Sequence, residues 1–297
     1  MSTIRTSTKV YPRRRRQIKG SSIAILVFLT MCAAFVCIPL YVVVITSFKT
    51  LDQIAMGDIL ALPTTWTLDG WNRAWSEVCS GFTCDGVRAG FWVSIKILFP
   101  SLFLAISLSA VTGYALALWN IKWAGTFLFI LFMCAFVPFQ IIMIPMIVLI
   151  SNLGIYGTIW GISVVHAILF MPLLTLIFRN FYKDIPQEII NAAVMDSGSF
   201  WRIFFEIVMP MSGNIMIVVL ILVVTGVWND FLVGVTFSIN TQPMTVILAK
   251  TAVTGMGEVR YNVDMAAALL TAIPPLVVYF ALGKFFVQGI TAGAIKG

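Results

Sequence analysis

The stretch RRRRQIKGSSIAILVFLTMCAAFVCIPLYVVVITSF, residues 13–48, decides the fold. Four arginines (Arg13, Arg14, Arg15, Arg16) and Lys19 precede an uncharged run from Gly20 to Phe48. A helix crosses a bilayer with about 20 apolar residues, and this run is longer. The apolar core of a cleaved signal peptide has only about 7–15 residues, so the segment is expected to stay as a first membrane helix, Ser22–Phe48. Seven of the nineteen Lys and Arg residues fall in the first nineteen positions. Cations beside a first span mark its cytoplasmic side, which places residues 1–21 inside as a basic tail.

The rest of the chain repeats the pattern. Of 297 residues, 60% are apolar and 10% charged, against about 45–50% and about 25% in a soluble domain. A water-soluble enzyme, a disordered chain and a coiled coil are excluded. The net charge of +7 is concentrated at the N-terminus and does not read as a nucleic-acid surface. Further spans are expected near Phe91–Leu118, Ala124–Ile150, Thr158–Arg179, Gly213–Phe237 and Asp264–Val287. Trp123 to Phe178 carries no charge at all, and its Gly-containing turn at Ser151–Gly157 divides it in two. The fold class is all-α: a polytopic protein of six membrane helices with both termini cytoplasmic. Thirteen Lys and Arg then lie inside and six outside, in agreement with the positive-inside rule. A transmembrane domain spans 22–297, with outer loops at about 49–90 and 238–263 and an inner loop at about 180–212. Cys79 and Cys84 in the first outer loop are the candidate local disulfide for an oxidising compartment. Cys32, Cys37 and Cys134 read as small apolar residues of the spans, and no metal site is expected.

The inner loop reads KDIPQEIINAAVMDSGSFWRIFFEIVMPM, residues 183–211. Asp184 is a cap candidate, Pro186 suits a first turn, and Ile189, Ile190 and Ala193 recur at helical spacing. Ser197-Gly198-Ser199 breaks the helix, and Pro210 is expected to end a second, aromatic one. A short helix and sharp turn at a membrane surface make a docking knob or an ordinary amphipathic connector.

This loop resembles the EAA loop of binding-protein-dependent ABC importer permeases: Glu-Ala-Ala, three residues, Gly, nine residues, Ile, one residue, Leu-Pro. Ala192, Ala193, Ile207 and Pro210 are in register. Asn191 stands where the Glu belongs, Ser197 where the Gly belongs with Gly198 one later, and Met209 replaces Leu. Ser47-Phe48-Lys49, residues 138–145 (PFQIIMIP), Trp228-Asn229-Asp230-Phe231 and residues 67–71 (TLDGW) are similar to the second, MalG-like permease of carbohydrate importers. Glucose and glucoside importers are the nearest resemblance, through the Cys79–Cys84 loop and Gly90-Phe91-Trp92. The likeness runs from about residue 22 onward.

The resemblance implies a type I ABC importer permease that pairs with a MalF-like permease. It implies docking on a homodimeric MalK-like ATPase and receipt of sugar from an extracytoplasmic binding protein, in a bacterial inner membrane. Glu188, Asn191, Ala192, Ala193, Asp196, Ser197 and Gly198 would seat in the ATPase, and Ala193→Asp would uncouple it while leaving the spans folded. This chain has no phosphate-binding Gly-x-x-x-x-Gly-Lys-Ser/Thr sequence, so it is expected to be no enzyme and to hold no cofactor. ATP and Mg would belong to the partner. Thr241, Gln242, Thr254, Gly255, Gly257 and Glu258 would form a polar, flexible loop reaching the binding protein.

Polar residues in spans face the interior and mark pathways. The candidates are Gln140, Asn152, His166, Trp228, Asn229 and Asp230. Each has a structural alternative: His166 an interhelical hydrogen bond, Asn229 and Asp230 a helix break, Gln140 the backbone freed by Pro138 and Pro145, which are expected to bend the third span into a gate. The rival from another class is an ion-coupled secondary transporter using Asp230 or Asp264. A membrane enzyme lacks a constellation of catalytic groups, and an ion channel lacks a filter loop.

Overall fold

The computed structural model describes residues 20–79, 83–196, 198–239, 241–254 and 260–294. They form helices and turns with an isolated β-bridge, Gly157 to Ser238. Four helices are long and apolar enough to span a membrane, and two bent pairs bring the total to six if each pair counts as one crossing.

Helix α1 (Gly20–Ser47) lies bare along most of its length and is buried only at Ile45, Thr46 and Ser47. Two short helices, α2 (Leu51–Ala55) and α3 (Asp69–Ser76), fold the following segment. Phe48 packs between Trp66 and Trp71, with ring centroids 5.5 Å from each. Lys49 is buried, and its ammonium donates to the carbonyl of Asp58 at 2.9 Å. Asn262 donates to the Lys49 carbonyl at 3.2 Å and ties the segment to the start of the last helix. The segment closes with a Cys79–Cys84 disulfide. Gly86 then turns the chain at φ +67, where a Cβ would overlap the Trp75 carbonyl, so only glycine fits.

The core is the pairing of α4 (Val87–Leu118) with α7 (Ile159–Lys183). Ser101, Ala105, Ser109 and Gly113 recur every fourth residue along α4 and are all buried. Such a ladder of small residues lets helix backbones approach in a membrane, where lipid tails offer no hydrophobic drive. A Cβ on Gly113 would stand 2.8 Å from the Phe178 Cβ. Ser163 donates across the pair to the Ile97 carbonyl at 3.2 Å.

Between α4 and α7, Ala124–Ile150 is bent, as expected, and sharply: α5 (Ala124–Ala135) and α6 (Phe139–Asn152) differ in axis by 104°. At about 1.5 Å per residue neither reaches across a hydrocarbon core of about 30 Å. Pro138 supplies no N–H and pushes Val137 out of helical backbone, which breaks the chain there. Pro145 stays inside α6.

After α7 come α8 (Gln187–Asp196), α9 (Phe200–Ile203), a π-helical turn at Phe204–Val208 and α10 (Met209–Met211). Pro210 lies in α10, and the arm Phe200–Met211 ends one residue beyond it, as expected, where it meets α11 (Gly213–Asn229) at 82°. The fifth span is interrupted again at Asp230–Phe231 before α12 (Leu232–Phe237). The loop expected to be polar and flexible contains a helix, α13 (Met244–Thr254), with Met244, Val246 and Ile247 buried. Helix α14 (Tyr261–Ala294) completes the chain.

Candidate functional site

Two places concentrate polar or exposed groups that the packing does not require: the α8 knob and the break between α11 and α12.

The knob is rooted by aromatic residues from the ends of α4 and α7. Tyr114 donates its hydroxyl to the Phe200 carbonyl at 3.2 Å, and its ring lies 4.7 Å from Phe200 and 5.2 Å from Phe204. Trp119 packs on Phe200 at 5.2 Å, and Phe178 stacks on Tyr182. Asp184 closes the C-terminus of α7, its N–H donating to the Phe181 and Tyr182 carbonyls. Ile190 and Ala193 turn inward, so Ala193 faces this chain rather than a partner's groove. A charge there would disrupt the knob itself. The expected clean uncoupling by Ala193→Asp is therefore corrected.

The outward side carries Glu188, Ile189, Asn191, Ala192, Val194, Met195 and Asp196, with Met195 87% exposed. Asn191 accepts a hydrogen bond from the Gln187 amide at 3.2 Å. Gly198 sits at φ +61, a conformation costly for any residue with a Cβ. Ser197 lies outside the described residues. Beyond the turn, Trp201 and Phe205 stack at 6.1 Å and are exposed. Apolar side chains thus cover the outward face, ringed by Glu188 and Asp196.

At the break, Asp230 accepts from the Val233 and Gly234 N–H groups at 2.8 and 3.1 Å and so caps α12. The same carboxylate oxygen lies 3.6 Å from Nε2 of the buried His166, and both His166 ring nitrogens lack hydrogen-bond partners among the described residues. Thr245 donates to the Asp230 carbonyl at 2.6 Å. Asn229 is exposed beside it. Trp228 is buried, packs edge-on against Phe91 and gives its indole N–H to the Thr271 carbonyl at 2.9 Å, so it holds the fold and offers no free donor to a solute. Gln140 and Asn152 are exposed at opposite ends of α6, about 18 Å apart along its axis. The structure therefore joins His166 with Asp230 and Asn229, and does not gather all six candidates into one pathway.

In the remaining loop Thr241 donates to the Gly157 carbonyl, Gln242 is half-buried and Thr254 ends α13. Gly255, Gly257 and Glu258 lie outside the described residues. Among the described residues no group of three His, Cys, Asp or Glu could hold a metal. Sequence reading missed Tyr114 and Trp119, whose signal was aromatic residues near a span's inner end. It also missed the serine–alanine–serine–glycine ladder, visible as a four-residue repeat.

Helices long and apolar enough to cross a bilayer, with two further bent pairs, define the fold of an integral membrane protein. The model of binding-protein-dependent transport system inner membrane components matches residues 105–292, and the chain belongs to that family. A probable ABC transporter permease of Pyrococcus horikoshii, PH1216, is 36% identical over 54% of this chain and 59% of its own length. The arabinooligosaccharide transport permease AraQ of Halalkalibacterium halodurans is 27% identical over 91% of this chain and 94% of its own. A chain of a bacterial ABC transporter that imports the acidic polysaccharide alginate superposes with a TM-score of 0.75 over 93% of this chain and all of its own, at 16% identity, a likeness of fold.

Proposed function

We propose that this chain is one of two permeases in an ATP-driven carbohydrate importer of the bacterial inner membrane, with both termini cytoplasmic and α8 as the helix seated in the ATPase. Family membership and relatives named for arabinooligosaccharide and for melibiose, raffinose and stachyose import support the solute class. The observation that carries the reading is α8 itself: a ten-residue helix with a buried inner edge and an apolar outer face, ended by Gly198 in left-handed backbone.

The aromatic root makes the knob a handle. Displacement of α8 is passed through Tyr114, Phe200 and Tyr182 to the inner ends of α4 and α7, which the small-residue ladder holds as one body. Helix α7 carries His166 to the capped break at Asp230, so a shift of this body moves directly against the α11–α12 junction. Exposed Asn229, beside a carboxylate and a freed backbone, offers the hydrogen bonds that sugar hydroxyls need amid apolar walls. ATP and Mg are bound by the partner ATPase and supply the force. The segment 241–262 meets the sugar-binding protein on the opposite face.

The complex purified with its ATPase and binding protein tests this. Met195→Asp places a charge on the exposed face and should abolish sugar-stimulated ATP hydrolysis while the permease keeps its melting temperature. Unchanged stimulation would refute the assignment of α8.

A further inference from the structure

Helix α4 carries a cation well inside its apolar run. Lys96 is exposed and has no hydrogen-bond or ion-pair partner among the described residues. Trp92, Lys96, Phe99 and Phe103 follow the i, i+4, i+7, i+11 spacing of one helix face, and the three aromatic residues are exposed. An ionisable residue in a span is costly unless it has a partner.

Lys96, Phe99 and Pro100 form one side of a cavity of about 720 Å³, and the first turn of α7 with Trp160 forms the other. Thr241 stands on its rim and no acidic residue lines it. The walls are fixed. The Tyr156 hydroxyl donates to the Thr236 carbonyl at 2.9 Å, Thr241 to the Gly157 carbonyl at 3.4 Å, and the Met244 N–H to Ser94 at 2.9 Å. Helix α4 is about 48 Å long and overshoots a hydrocarbon core of about 30 Å. Lys96, nine residues from its start, is therefore within a lysine's reach of the headgroup level. Trp92 and Trp160 are side chains that favour that level.

A headgroup cation would be repelled by Lys96. The Thr241 oxygen, its proton committed to Gly157, is left as an acceptor for an incoming hydroxyl. We propose that this cavity binds the headgroup of an anionic, hydroxyl-bearing phospholipid, its phosphate on Lys96, its hydroxyls toward Thr241 and its acyl chains along Phe99 and Phe103. The site rests on the membrane-spanning reading of α4 and α7 and is independent of the transported solute.

The assembled transporter, exchanged into phosphatidylglycerol or phosphatidylcholine, provides the test. Native mass spectrometry should show one more retained phosphatidylglycerol per permease in wild type and Lys96→Arg than in Lys96→Met. The affinity loss in Lys96→Met should be about tenfold, as for one charge-assisted hydrogen bond. Arg73→Met, which alters an exposed cation elsewhere, should retain the lipid. Should Lys96→Met fail to assemble, amine acylation of wild type decides: Lys96 should react several-fold more slowly in phosphatidylglycerol than in phosphatidylcholine. Equal lipid retention in Lys96→Met and wild type would overturn the proposal. So would equal acylation in both lipids. Equally slow acylation would give this face to a partner protein instead.

Discussion

The α4–α7 pair and the α9–α12 run are both rich in apolar residues and behave in opposite ways. The first is two unbroken helices pressed together along small residues, with hydroxyls of Ser163 and Ser109 bonded to the opposite backbone. The second is turned by 82° at Ser212, widened into a π turn, and opened again at Asp230. Backbone released from helix inside a membrane survives only where other groups satisfy it, and Asp230 does so for Val233 and Gly234. The difference separates a stiff body that carries displacement from a jointed one that changes shape.

The sharpest way to break this contrast is Gly113→Leu. The added side chain drives into Phe178 and should cost about 3 kcal/mol or more, read as loss of folded complex on thermal scanning, whereas Gly125→Leu, with nothing within 4 Å of its Cβ, should be neutral. Next, Met195→Asp should reduce sugar-stimulated ATP hydrolysis on the order of 100-fold, the scale of a charge left unpaired in a buried contact, with melting unmoved. Removing the Cys79–Cys84 bond as a double serine variant should cost at most about 2 kcal/mol, seen as faster proteolysis of residues 49–90 and not as global unfolding. Pro138→Ala should lower stability by about 0.4–1 kcal/mol through the unfolded chain and leave the α5–α6 break in place, checked by spin-label distances across it. Asp230→Asn keeps an oxygen for the α12 cap and should change transport less than about threefold, the effect of a fraction of a kcal/mol.

The six apolar segments, the α8 helix and the turn at Gly198 were legible because each rests on a local signal: run length, helical spacing, a glycine. The places of the breaks were legible too, in Pro138, Pro210 and the polar Asn229–Asp230 pair, but their angles were not. Hydropathy reports which atoms tolerate lipid, and a helix that turns by 104° is as apolar as a straight one. Pro210 marked the end of its arm to within one residue, whereas the π turn at Phe204–Val208 has no such local signal. Resemblance names Ala193 without its direction, and only packing shows that it turns inward with Ile190. Trp228 looked like a sugar platform until the Thr271 carbonyl took its N–H. Asn229, Asp230 and His166 did converge, on a polar junction that the apolar runs around them had singled out.

Helix α1 joins the body near its C-terminal end, where the Tyr41 hydroxyl donates to the Leu60 carbonyl, Ser47 lies against α3 and Lys49 is clasped from the far end of the chain. A rod fixed at its foot magnifies small rotations there. From Ser47 to Ile23 the arm is about 36 Å, so each degree of tilt at the base sweeps the opposite tip by about 0.6 Å through the lipid.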